Sequence, residues 1–447
     1  MQQRNPMGHE KILPLLIKMS LPVMLSMFIQ SLYNIVDSYF VAKLSEKALR
    51  ATSLAYPVQI IIVALGVGTG TGLNSLISRS LGANKQEKAD QAAMHGFIAA
   101  ILSSLIFIIF RFTLMDKFFD YFTKDPTVKA MGMEYLGLVS TFAFFSIIQI
   151  TIEKMIQGTG KMVWSMIIQL VGAIINIILD PIMIFGLYGF PAMGIKGAAI
   201  ATLIGQGAGA LLGIIVLFSD IIDLNINFLN FKFSKGIIKE IYNVGFPSIL
   251  MQSITALVTT IMNLILIRHS EIAVSVLGVY FKLQSFVFMP VFGLSQGVLP
   301  LIGYNYGAEN KERVEETFKW GMRLTAIVMA VGTIVFQLFP RELMGIFSDD
   351  PNMTNMGVYT LRIISICFVF AAIGITNSTF FQALGLGKYS LIVTSLRQLI
   401  LIIPIAYVLS FIGLNFVWLS YPISEIIATI VSVTLQRRVK REYVEIL

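Results

Sequence analysis

The chain has 447 residues, of which 56% are hydrophobic and only 13% charged, with a mean hydropathy of +0.79. An ordinary soluble domain carries about 25% charged residues, so this composition marks an integral membrane protein. The formal charge of +8 is scattered over many short loops, which reads as a topology signal and speaks against a nucleic-acid partner, and the one cysteine, Cys367, excludes an internal disulfide or a multi-cysteine metal site.

Long apolar runs between short loops predict helices, because the alternating strands of a barrel leave a much weaker pattern. The first run, Leu13–Val41, follows Arg4 and Lys11 and contains Lys18 near its start, but it lacks a small-residue cleavage site, so it is read as a retained span. Five more follow at Ser53–Ser78, Ala92–Phe112, Gly132–Gln157, Met162–Gly186 and Gly194–Phe218. A second six lie at Ile237–Ile267, Gly278–Gly303, Phe318–Phe339, Gly357–Leu384, Tyr389–Gly413 and Phe416–Leu435. Most of the 33 basic residues fall on one side if both termini are cytoplasmic, and the Arg437, Arg438, Lys440 and Arg441 cluster supports an inside end.

The two halves repeat in one register. Pro22 answers Pro247, Gln59 answers Gln284, and Gly68 and Gly72 answer Gly293 and Gly297. The same offset pairs Gly82-Ala83 with Gly307-Ala308, Asp125-Pro126 with Asp350-Pro351, and Gln157 with Gln382. Two inserted residues then match Gly160-Lys161 to Gly387-Lys388. An even number of spans per half makes the repeats parallel, as in transporters that rock two halves about an axis along the membrane normal. The expected fold is therefore an all-α integral membrane protein, with twelve transmembrane helices in two six-helix parallel repeats forming two lobes. The lobes are placed at 1–218 and 241–447, joined by a cytoplasmic linker at 219–240 whose mixed apolar and polar residues suggest a segment lying on the membrane surface or against a loop.

Ionisable groups inside the spans carry the chemistry. Asp37 stands in the outer half of the first span with Asn34 and Gln30 on the same helical face. Such a carboxylate is costly in hydrocarbon unless it is paired or hydrated, so it is either an inter-helix hydrogen bond or an ion site. Asn176 and Asp180 share a face of the fifth span, and Pro181 is expected to kink or open the helix beside the acid. Both acids lie roughly 9 Å outward of their span midpoints at 1.5 Å per residue, so two helices of one half can bring them to one level. With Thr202 from the sixth span, Asp37, Asn176 and Asp180 would form an all-oxygen cluster suited to a hard cation or a shared proton.

Other candidates carry less. Lys282 can snorkel or pair with an acid; Glu153 and Lys154 are read as solvated near the inner interface; Arg397 and Glu425 are read as inter-helix structure. His9, His95 and His269 lie near span ends and suggest no metal site. The glycines from Gly66 to Gly72 lack the strand–loop–helix setting of a phosphate loop, and close helix packing explains them better.

Taken together, the Ser20-Leu21-Pro22 to Asn34-Ile35-Val36-Asp37 stretch, the Gly82-Ala83 loop, the Asn176 to Pro181 segment and the Gln157/Gln382 repeat resemble the multidrug and toxic compound extrusion (MATE) family, DinF-like branch. The resemblance implies no enzymatic activity and no cofactor. It implies export of amphipathic, often cationic organic molecules in exchange for H⁺ or Na⁺, by a protein of the cytoplasmic membrane that contacts lipid and works as a monomer. It also implies that Asp37, Asn176, Asp180 and Thr202 form the coupling cluster and the one place for Na⁺, with Gln30, Asn34 and Lys282 in support. NorM-like members use further acids in the seventh and tenth spans, where this chain has Gln252, Asn263 and Asn377. A lipid-precursor flippase of the same superfamily, or a channel or scaffold, are the rival readings.

Overall fold

The computed structural model describes residues 5–447, so Arg4 lies outside the described residues. Among the described residues, ten single helices are long and apolar enough to cross a membrane, and counting each of two bent pairs as one span gives twelve. In the first half these are α1 (Ile12–Leu44), α2 (Glu46–Gly82), α3 (Gln86–Thr113), the pair α4 (Pro126–Thr141) and α5 (Ala143–Gly158), α6 (Met162–Phe185) and α7 (Ile195–Leu217). The second half has α8 (Lys235–Ile267), α9 (Glu271–Gly307), α10 (Lys311–Leu338), the pair α11 (Pro351–Ser365) and α12 (Phe368–Ala383), α13 (Gly387–Ser410) and α14 (Leu414–Val444). The fourth and tenth spans, expected as single helices, bend by 47° and 48°.

The repeat extends to local geometry. α1 and α8 have 33 residues each, α2 and α9 have 37, and α3 and α10 have 28, so equal lengths cross equal thicknesses. Ser45 and Ser270 cap α2 and α9 by accepting from backbone N–H groups, as Asp125 and Asp350 do for α4 and α11, where a proline follows at the first helical position. The chain leaves α2 and α9 through left-handed residues at matching places, Asn84 (φ 56°) and Glu309 (φ 55°).

Two compact units result, and their edges differ from the repeat edges. One comprises the segment through Met24 together with Leu250–Leu447, the other Leu25–Ile249. The N-terminal half of α1 thus packs with second-half helices: added Cβ atoms at Gly293 and Gly297 of α9 would press on Met24 and Ser20. Asn305 and Arg313 also donate to the Met7 carbonyl at 3.0 Å each. The N-terminal half of α8 packs with first-half helices in the same way, since Gly68 and Gly72 of α2 lie against the backbone at Gly245 and Ile241. The glycines matched by the repeat are therefore the places where each exchanged half-helix seats, which only a residue without Cβ allows.

The segment between α7 and α8 is docked rather than loose. Asn225 N–H donates to Asp90 at 2.8 Å, Gln91 donates to the Asn230 carbonyl at 2.8 Å, and Ser234 N–H donates to His95 Nε2 at 2.9 Å. Lys88 pairs with Glu240 at 2.8 Å, and the His95 ring lies 4.7 Å from Phe231. The N-terminal end of α3 supplies the polar groups that the segment needs.

Candidate ion-coupling site

The site begins with a close helix crossing. Gly172 of α6 and Gly205 of α7 meet backbone to backbone; a Cβ on Gly205 would stand 2.5 Å from the Gly172 carbonyl oxygen and 3.1 Å from Asn176 Cβ. One turn outward on α6, Asn176 Nδ2 donates to Thr202 Oγ1 at 3.2 Å and to Asp180 Oδ1 at 3.3 Å. All three residues are buried, Asp180 completely. α6 runs through Pro181 to Phe185 and closes at left-handed Gly186, so the opening expected beside the acid does not occur. Only one ladder donor is missing so near the helix end, and neighbouring turns hold the helix. The acceptors of the site are therefore side chains.

α1 supplies the other wall. The Asp37 carboxyl group lies within hydrogen-bonding range of the Asp180 carboxyl group. One turn earlier on α1, the Tyr33 hydroxyl lies close to Thr202. Tyr135 of α4 faces the same two acids, and its hydroxyl accepts from Gln59 Nε2 at 3.0 Å. Asp37 Oδ1, Asp180 Oδ2 and Asn176 Oδ1 are all buried and have no hydrogen-bond partner. Two ionised carboxylates offer only acceptors, so their contact needs a proton on one of them or a cation between them.

The structure thus brings Asp37, Asn176, Asp180 and Thr202 together. Gln30 lies further inward and accepts from Gln169 at 3.0 Å, which ties α1 to α6. Asn34 is exposed and takes no part in the bonded cluster. Lys282 belongs to the other unit, where it is exposed and lies over the Phe347 ring at 5.8 Å. Tyr33 and Tyr135 were not singled out from the sequence, although Tyr33 stands one turn before Asp37 on the same face. Glu153 and Lys154, expected to be solvated, are 8% and 9% exposed. Glu153 accepts from Gln149 at 3.0 Å and Lys154 donates to Gln157 at 3.1 Å, while Gly70 makes room for the lysine stem.

The MatE family model matches residues 22–182 and 247–408, a range that takes in Asp37, Asn176 and Asp180. The multidrug export protein MepA of Staphylococcus haemolyticus strain JCSC1435 is 29% identical over 91% of this chain and 89% of its own length. MepA of Staphylococcus aureus strain NCTC 8325 is 30% identical over 88% of this chain and 86% of its own. Among solved structures, the outward-facing conformation of a multidrug resistance MATE family transporter superposes with a TM-score of 0.90 at 26% identity, over 98% of both chains. A MOP superfamily transporter from Pyrococcus furiosus, described as having a binding pocket of reverse polarity that suggests a different function, superposes with a TM-score of 0.91 at 26% identity over 98% of both chains.

Proposed function

The chain belongs to the MatE family of membrane transporters, and from that footing we propose that it exports amphipathic, cationic organic molecules from the cytoplasm in exchange for protons. The observation that carries the coupling ion is the contact between the Asp37 and Asp180 carboxyl groups, with one buried oxygen of each left without a partner. Side by side, the pair can share a proton without moving; the same oxygens would also serve a sodium ion, and the flux experiment below separates the two. Protonation removes one negative charge from a buried site, and deprotonation restores it. Asn176 and Thr202 orient Asp180 through both steps, and Tyr33 holds Thr202 in turn. Export of many compounds is the property named for the MepA relatives, and the many phenylalanines and methionines of this chain can give an adaptable apolar surface.

Proteoliposomes loaded with ethidium test the reading. Counterflow driven by a pH gradient in sodium-free buffer is expected to proceed; flux that ignores the pH gradient and requires a sodium gradient would transfer the same oxygens to Na⁺. Conduction without exchange would indicate a channel instead.

Orientation and setting belong to the same proposal: a monomer in the cytoplasmic membrane, surrounded by lipid, with both termini inside. A single cysteine at position 47, in a background lacking Cys367, is expected to label from outside in intact cells. Labelling only after permeabilisation would invert the topology.

A further inference from the structure

The unit containing Leu250–Leu447 has buried charges of its own. Arg397 lies near the middle of α13, and its Nη1 stands 3.3 Å from Glu425 Oε1 on α14. The two side chains are 14% and 8% exposed. This is the one hydrogen bond of the guanidinium among the described residues, although that group carries five N–H donors.

The surroundings are unusual for a structural fastening. α13 winds as a π-helix over Leu396–Leu401, around Arg397 itself, and such widened turns are frequent at functional sites. Gly374 of α12 faces the pair, close enough that a Cβ would touch both Arg397 Nη1 and Glu425 Oε1. On α14, Tyr421 stands one turn before Glu425 on the same face and Ser424 adjoins it; both hydroxyls are buried with no hydrogen-bond partner. Tyr280 of α9 packs edge-on against Tyr421 at 5.9 Å, and Cys367 completes the set of titratable groups around the pair. A buried ion pair with most donors unused, beside unpartnered hydroxyls, does little for stability. Its helices are also the repeat partners of those that carry Asn176, Asp180 and Thr202: Gly160-Lys161 before α6 answers Gly387-Lys388 at the start of α13.

We propose that Glu425 is a second proton-accepting site, with Arg397 as its built-in counter-cation. In the resting pair the carboxylate is ionised against the guanidinium. A proton adds to a Glu425 oxygen, and the neutral carboxyl then donates to one of the waiting hydroxyls. Arg397 keeps its charge and is free to move with its π-turn. Loss of that proton on the other side of the membrane restores the pair. One proton is gained and lost per cycle, and no other bond changes.

This inference rests on the proton-coupled reading above and adds one charge to it. Exchange of one proton at the aspartate pair for a monovalent organic cation is electroneutral; a second proton at Glu425 makes each cycle carry one net positive charge, and so makes it sensitive to membrane potential. Proteoliposomes of the full chain, with ethidium as the probe and an imposed potassium diffusion potential, read this directly. Wild type is expected to respond to the potential, and Glu425→Gln to keep exchange driven by the pH gradient but lose the response, with one proton fewer per ethidium. The double variant Arg397→Gln/Glu425→Gln leaves no lone buried charge, serves if the single variant does not fold, and is expected to show the same loss. A structural pair would lower stability and leave the charge per cycle unchanged. Unchanged potential dependence in either variant, or an electroneutral wild type, overturns the second site and leaves the first standing. A wild type that ignores the pH gradient brings down the proton-coupled reading itself.

Discussion

Asp180→Asn and Asp37→Asn are each expected to reduce pH-driven exchange to the level of protein-free vesicles while leaving expression and thermal stability near wild type. An amide has the shape of a protonated carboxyl and can donate to the remaining acid, so each variant imitates the protonated pair but cannot release the proton. In Asp180→Asn the amide oxygen still accepts from Asn176, which keeps the α6–α7 side of the site in place. Substrate binding, followed by ethidium fluorescence polarisation, should therefore persist when transport does not. Retained exchange in both variants would show that the coupling ion is carried elsewhere. Loss of fold instead of transport would make the pair a structural one.

The second large effect is expected from Gly205→Leu. A Cβ alone would collide with the Gly172 carbonyl and crowd Asn176, so the leucine forces α6 and α7 apart. Overpacking of this kind costs about 1–3 kcal/mol and can cost more when backbone must move. The 3.2 Å bond between Asn176 and Thr202 spans this crossing and should break with it. A lowered thermal midpoint together with a loss of exchange is the expected outcome. Gly207→Leu is the control, because its Cβ would meet Phe145 at ordinary contact distance, 3.6 Å. If Gly205→Leu transports normally, the helix crossing is not what positions the site.

Much of this architecture was legible because hydrocarbon imposes simple requirements. A span must be long and apolar, which located all twelve, and a repeat survives as matched glycines, prolines and caps. Asp37 and Asp180 were conspicuous as acids at one depth in two helices of the same half. The breaks at Phe142 and after Ser365 were not visible, because the bends fall at apolar residues that look like the rest of the span. Pro181 pointed to a kink or an opening, and the helix does not open there because tertiary packing and its place near the helix end hold it. Glu153 and Lys154 looked solvated because adjacent charges are typical of a helix end; the glycine that receives the lysine stem is Gly70, distant in sequence. Tyr33 and Tyr135 were hidden among fifteen tyrosines, most of which suit any membrane interface. Above all, a glycine pattern announces close approach without naming the partner. Nothing in Gly293 and Gly297 says that they receive the first helix rather than a neighbour in their own half.

That reciprocal seating of half-helices has a consequence for how the protein is made. The N-terminal part of α1 is made early, yet the groove it occupies is shaped by Gly293, Gly297, Asn305 and Arg313, which are synthesised far later. Until then these contacts of Met7, Ser20 and Met24 cannot form, and Gly68 and Gly72 likewise wait for the start of α8. Six inserted spans are therefore not a finished half but a nascent chain with one surplus stretch of helix and one vacant seat. Closing such distant contacts is slow compared with local helix pairing. A truncation at the end of α7 is accordingly not a smaller version of the protein.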